Sequence, residues 1–298
     1  MELKMINRIS LNFIAVFFVL VTYAQDDLED MLNEIAPLPE QEAMATFKSG
    51  RVINLHTNER VAAGSLELRI SHRFGRLNGG AYELWGLDQS TIRIGLDYGI
   101  NDRLNIGVGR NSYKKIYDGF VKYAFTNQRV NGMPLSIVGV SAIAVNSLHF
   151  SDLTRDNYFS SRITYVNQLV LARKFNEKLS LEFVPTWVHY NLVSTTADQN
   201  DIPVLAFGGR LKVSKRVSIN MDYGYRVALK KNAPNIENYN NSLSVGVDIE
   251  TGGHVFQLQL TNSLPMVDMG FLTETNDKWL DGGIHLGFNI TREFVLKR

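Results

Sequence analysis

The chain has 298 residues, no cysteine, and 31 basic against 30 acidic side chains. That balance argues against a nucleic-acid partner, which calls for a basic excess, and the missing cysteines exclude a disulfide framework, thiolate metal sites and a cysteine nucleophile. A single long apolar run, at the N-terminus, excludes a polytopic helical membrane protein but not a membrane β-barrel, whose strands alternate polar and apolar residues.

Lys4 and Arg8 precede the run Phe13–Val21 (FIAVFFVLV), which is followed by Thr22-Tyr23-Ala24. Charged, apolar and small residues in that order read as a secretory signal peptide over 1–24, cleaved after Ala24. The run falls short of the ~20 apolar residues a membrane-spanning helix needs. The next stretch, 25–63, reads as an acidic N-terminal segment in the periplasm. Asp26, Asp27, Glu29, Asp30, Glu34, Glu40 and Glu42 precede its first basic residue, Lys48. Leu28, Met31, Leu32 and Ile35 fall at helical spacing before Pro37. The segment reads first as an acidic tail; the sharper alternative is a helix that docks a partner or folds into a pore.

From residue 64 to 298 the pattern has period two. Leu66, Leu68, Ile70 and Phe74 alternate with Glu67, Arg69, Ser71 and Arg73. Ile92, Ile94, Leu96 and Tyr98 alternate with Arg93, Gly95, Asp97 and Gly99. Similar alternation runs through 217–226, 242–249 and 284–291. Successive strand side chains point to opposite faces, so each segment has one apolar and one polar face. About twelve strands are expected, near 65–74, 90–100, 103–110, 116–125, 135–146, 161–175, 179–190, 203–213, 217–227, 241–250, 254–263 and 282–294. Tight turns (Asn101-Asp102, Asn176–Lys178, Ser214–Arg216, Thr251–Gly253) alternate with longer loops, the arrangement of outer-membrane barrels. Aromatics near strand ends, among them Tyr98, Tyr117, Phe125, Phe175, Trp187 and Tyr225, suit interface girdles. The fold class expected is all-β: an antiparallel up-and-down transmembrane β-barrel of about twelve strands after a cleaved signal peptide.

The run Arg69-Ile-Ser-His-Arg-Phe-Gly75, then Gly86-Leu-Asp88, Arg93–Gly99, Asp102-Arg103-Leu104, Gly107-Val-Gly109-Arg110 and Tyr117-Asp118-Gly119 through Lys122-Tyr123, resembles a domain-of-unknown-function family of outer-membrane β-barrel proteins from gram-negative bacteria. The resemblance covers essentially the whole mature chain. It implies the barrel and the outer membrane, but the family brings no established activity and no functional residues.

Motifs for chemistry are sparse. The six histidines form no HExxH pair, no G-x-S-x-G elbow occurs, and Gly107-Val-Gly109 lies inside a strand rather than before a helix. These glycines read as making room inside the barrel. Ser71-His72 with Asp97 or Asp118 could be cast as a hydrolase site, though a strand-end polar residue is the better reading of His72. No catalytic residue, metal or cofactor is assigned. By parity the candidate lumen-lining residues are Glu67, Arg69, Arg73, Arg93, Asp97, Asp118, Lys122, Arg210, Asp222 and Arg226; Arg162, Lys174, Lys212, Glu182 and Asp248 share that parity. They form either a salt-bridged scaffold, with pairs such as Arg69 or Arg93 to Asp97 or Asp118, or a slightly basic channel. The loop Phe74–Asp88 is rich in apolar and glycine residues, so Trp85 and Leu87 are expected to bury as a loop plug at the barrel mouth.

Taken together, these features point to a non-enzymatic pore or channel for small solutes in the cell outer membrane. A closed structural or accessory barrel that binds a partner is the alternative, and an outer-membrane hydrolase a distant third. The partners expected are outer-membrane lipid, a small solute and a periplasmic partner of the acidic segment, with no nucleic acid.

Overall fold

The short connections share one local design. In Asn101-Asp-Arg-Leu104 the Asn101 carboxamide oxygen accepts from the backbone N–H groups of Arg103 and Leu104, each at 2.9 Å. Asn176-Glu-Lys-Leu179 repeats this at 2.9 Å to Lys178 and Leu179. Ser214-Lys-Arg-Val217 does so with a hydroxyl, at 3.3 and 3.1 Å. A short acceptor side chain thus replaces the missing ladder partner and reverses the strand. The fourth turn uses Gly252 (φ 32°) and Gly253 (φ 104°), the left-handed pair that suits a two-residue hairpin.

The computed structural model describes residues 41–150 and 153–296; the expected signal peptide and the acidic stretch up to residue 40 lie outside them. A compact unit begins at Glu42. Its first strands are β1 (Ser65–Arg76), β2 (Ser90–Gly99), β3 (Leu104–Asn111) and β4 (Ile116–Thr126). Next come β5 (Ser136–Asn146), β6 (Ile163–Lys174), β7 (Leu179–Tyr190) and β8 (Asp201–Lys212). The last four are β9 (Val217–Arg226), β10 (Ser242–Thr251), β11 (His254–Thr261) and β12 (His285–Val295). Two short helices, α1 (Pro234–Glu237) and α2 (Asp268–Thr273), lie in the last two long loops. Each strand pairs antiparallel with the next, and β12 closes on β1 with Ile290 opposite Ile70. The expected strands are all present, and the barrel is closed.

Burial inverts the order of a soluble protein. Arg69, Arg73, Asn105, Lys122, Gln257 and Asn289 are buried on the inner face. Ile94, Leu96, Val121, Phe207, Met221 and Leu258 stand exposed on the outer one. An apolar surface this continuous is stable only against lipid.

The inner face has a feature that parity did not anticipate. On β5–β8 the inward positions are also apolar: Val138, Val140, Val166, Val170, Val184, Val188, Val204 and Ala206 are all buried. The polar inner wall expected of every strand therefore holds for β9–β12 and much of β1–β4, while β5–β8 form an apolar inner wall. Alternation vanishes there because both faces need apolar residues, one for lipid and one for an internal core.

Candidate functional site: a lumen filled from both ends

Thr46–Val61 carries apolar residues (Phe47, Val52, Ile53, Leu55) that alternate with polar ones only irregularly. It has no neighbouring strand, so it folds on itself. Val52 N–H donates to the Leu55 carbonyl at 2.9 Å and Thr57 N–H to the Gly50 carbonyl at 3.1 Å. Both ends of this hairpin are held at the short-turn end of the barrel. Ala43 N–H bonds the Gln128 carbonyl at 2.8 Å, Arg60 Nε the Asp102 carbonyl at 2.9 Å, and Gly64 N–H the Gly99 carbonyl at 2.8 Å. From there the hairpin rises into the lumen, and residues 51–58 are buried throughout. It is a plug. The segment 25–63 expected in the periplasm thus has its second half inside the barrel. Phe47, Val52, Ile53 and Leu55 share one core with the β5–β8 wall, and their burial drives the insertion.

A buried hairpin without a sheet must have its backbone satisfied by something else. The wall charges do this. Arg210 donates to the carbonyls of Ala45 and Thr46 at 3.0 and 3.2 Å. Lys122 donates to those of Gly50 and Glu59 at 3.0 and 3.1 Å. Asp222 accepts the Asn54 and Leu55 N–H groups at 2.6 and 3.2 Å. Gln257 and Asn289 reach the carbonyls of Val52 and Ile53 at 2.6 and 3.2 Å. Arg73 binds the Asn54 side chain at 2.9 Å, and Arg69 lies 3.4 Å from Ser49 Oγ. The wall is also cut to receive the plug. A Cβ on Gly208 would come within 2.9 Å of Val52 Cγ2, and one on Gly246 within 3.2 Å of Ile53 Cδ1.

From the long-loop end, α2 descends to meet the hairpin. It is buried along its whole length, with Met269, Phe271 and Leu272 in the same core as the plug. Arg51 of the plug forms a two-pronged pair with Asp268, Nη1–Oδ1 2.6 Å and Nη2–Oδ2 3.2 Å. His56 Nε2 stands 3.3 Å from the same carboxylate. Burial pushes the Asp268 carboxyl up, but the Arg51 guanidinium outweighs it and holds it well below the usual carboxylate range. Burial, then Arg51, press the His56 ring well below its usual pKa, so it stays neutral. Burial also raises the Glu59 carboxyl, partly offset by the Phe47 N–H it accepts at 3.2 Å.

All ten candidate lumen residues lie on the inner side, where Arg69, Arg73, Lys122, Arg210 and Asp222 touch the plug itself. Arg93 pairs through Nε and Nη2 with Asp118, the Nε contact at 3.0 Å. Arg69 bonds Glu67 on its own strand at 3.0 Å, and Asp97 is buried between Arg93 and Arg69 without a hydrogen bond among the described residues. Arg226 holds the loop before β10 through Asn241 and the Asn235 carbonyl at 3.4 Å. Glu182 and Gln168 are buried on the apolar wall with no hydrogen-bond partner for their side chains among the described residues. Gly107 and Gly109 leave room for Phe120 and Arg93. Arg162 lies in the turn before β6 rather than on the wall.

Trp85 and Leu87 stay 54% and 42% exposed, so the expected loop plug is absent. Their turn, with Leu84 and Trp85 at φ 47° and 50°, directs them away from the core that the hairpin and α2 already fill. Ser71 is buried inside while His72 stacks outside on Phe288, centroids 5.1 Å apart, so the two form no nucleophile–base pair. The plug could have been suspected from the small residues Ala142, Ala144, Ala206 and Gly208 on inward positions, which leave space for something besides water.

A model described as membrane bound beta barrel domain (DUF5777) matches residues 47–294, so the plug hairpin falls within it. The chain belongs to this family. As a closed antiparallel barrel with an apolar outer belt, it is a β-barrel of the outer membrane. No curated protein matches the chain. Among solved structures it is similar to the COG4313 outer membrane channel from Pseudomonas putida F1, at 13% identity and TM-score 0.49, over 83% of this chain and 100% of that one. It is also similar to the NanC porin, at 9% identity and TM-score 0.48, over 77% and 98% of the two chains. The KdgM porin resembles it at 10% identity and TM-score 0.46, over 77% and 99%.

Proposed function

We propose that the protein is a non-enzymatic outer-membrane channel for small solutes, held closed by its own N-terminal hairpin. The observation that carries this is how the plug is held. Its backbone is bound by side chains of the wall rather than by a β-ladder, so it can leave without opening a barrel strand. Glu182 and Gln168 support the same reading. A buried polar group without a partner costs ~1–3 kcal/mol, a cost relieved when water reaches the wall.

The alternative, a closed accessory barrel, draws on the apolar core shared by Phe47, Leu55 and the β5–β8 wall. Conductance in planar bilayers separates the two. The full-length protein is expected to show rare, brief openings. Replacing residues 46–61 with a Gly/Ser linker of equal length is expected to give steady conductance. A silent bilayer for both forms would favour the closed scaffold.

A further inference from the structure

The long-loop end of the barrel holds a pocket of 630 Å³ between the loops before β6, β8 and β10, with Met269 and Thr273 of α2 in its floor. That lies within the ~300–1,000 Å³ range of small-molecule sites. The chemistry of its lining separates into two groups. Its two carboxylates and its arginine are already engaged. Asp198 accepts from Thr195 N–H at 2.8 Å and from Asn235 N–H at 2.9 Å. Glu274 pairs with Lys114 at 2.7 Å. Arg162 donates to the Asn146 carbonyl at 2.8 Å and covers the Phe150 ring at 3.7 Å.

Its neutral polar groups divide: Thr195 donates to Asp198 at 3.0 Å, Asn235 to the Gln199 carbonyl at 2.8 Å, and Tyr190 bonds Thr273 in the floor, while others have no partner among the described residues. The Tyr239 hydroxyl, the Asn238 amide, the Ser194 hydroxyl and the Asn146 NH₂ group have no hydrogen-bond partner among the described residues. Beside them Leu148 and Leu192 line the pocket and remain exposed. An ion entering here would find the carboxylates and the arginine paired already. A purely apolar molecule would cover the free hydroxyl and amide groups without satisfying them, which is costly. The lining suits a molecule with apolar C–H faces and many neutral hydroxyls.

We propose that this pocket binds a neutral saccharide of one or two rings. Tyr239, Leu148 and Leu192 face the C–H surface of the sugar, and Asn238, Ser194 and Asn146 bond its hydroxyls. Because α2 forms the floor, the sugar would rest on the helix that latches the plug. The proposal does not depend on the channel reading, since binding is measured without a bilayer.

The test is saturation-transfer NMR on the refolded full-length protein in a detergent without a sugar headgroup. The probes are neutral disaccharides (maltose, cellobiose, lactose), glucuronate as the anion and cyclohexanol as the apolar control. At least one disaccharide is expected to receive transfer at its ring C–H protons, more strongly than either control. Tyr239→Ala is expected to weaken that binding at least tenfold. Asn238→Ala, at an exposed position, provides a second variant with the same expected direction should Tyr239→Ala fail to refold. Transfer to no disaccharide, stronger transfer to glucuronate or cyclohexanol, or binding unchanged in the refolded variants would overturn the proposal.

Discussion

Arg51 in the plug and Asp268 at the start of α2 lie 217 positions apart in the chain and meet as a buried pair, Nη1–Oδ1 at 2.6 Å. They join two segments that enter the lumen from opposite ends. Removing one partner of a buried pair strands the other charge, a loss of ~3–5 kcal/mol. Asp268→Ala is therefore expected to loosen the plug while the barrel persists. Hydrogen exchange of the Asn54–Thr57 amides should accelerate at least a hundredfold, with unchanged protection of β9–β12. Equal exchange in variant and parent would mean the pair holds nothing in place.

Acid should also loosen the plug. His56 faces Arg51, Asp268 and Lys122, with the Phe120 ring 4.7 Å away, and is held neutral at a pKa well below the usual value. Once withdrawn, the ring would return to about 6.5. The withdrawn state then binds more protons below that pH, and the seated state loses stability as pH falls through it. Asp268 responds only in strong acid, because its pKa is depressed. Glu59, raised by burial, acts in the opposite direction. Plug amides should exchange faster at pH 5.5 than at pH 7.5, after correction for intrinsic rates. In His56→Gln that difference should vanish or reverse; its persistence would remove His56 from the account.

Gly208 lies against both Val52 and Glu182, where a Cβ would approach within 2.9 and 2.6 Å. Gly208→Leu should unseat the hairpin without opening the barrel, since overpacking is relieved by whichever neighbour moves most easily. Boiled and unboiled samples should still migrate differently on a denaturing gel, while trypsin newly cuts after Arg51. Resistance at Arg51 would show that the hairpin does not rest there.

Arg210 satisfies two plug carbonyls and Ser218 at once. Arg210→Ala leaves the Thr46 carbonyl buried and unpaired, at ~1–3 kcal/mol. The loss should appear as faster exchange confined to the hairpin, and as a higher open fraction in bilayers. A lower melting temperature of the whole barrel with unchanged hairpin exchange would contradict the assignment.

Much of the barrel was legible because strands write their faces at period two: Ile94 and Leu96 against Arg93 and Asp97 can be read directly. The turns were legible for a similar local reason, a short acceptor side chain at Asn101, Asn176 and Ser214. The inner charges were legible as inward, but not in their task. Arg210 and Lys122 bind backbone carbonyls, and a carbonyl carries no residue identity that a sequence could show. On β5–β8, Ile137 and Val138 are both apolar, so parity cannot tell a lipid face from a core face. The hairpin 46–61 has no period because its partners come from many strands. Trp85 misled for the opposite reason: its apolar character suggested burial in a space already filled by residues from distant parts of the chain.

Opening of the lumen in the proposed channel requires the hairpin to move. The chain has no native cysteine, so Val52→Cys with Gly208→Cys places a single disulfide between plug and wall. Single-channel recording of this variant tests that movement most directly. A silent bilayer is expected when the pair is oxidised, with conductance steps restored by reductant. Identical recordings in the two states would contradict it.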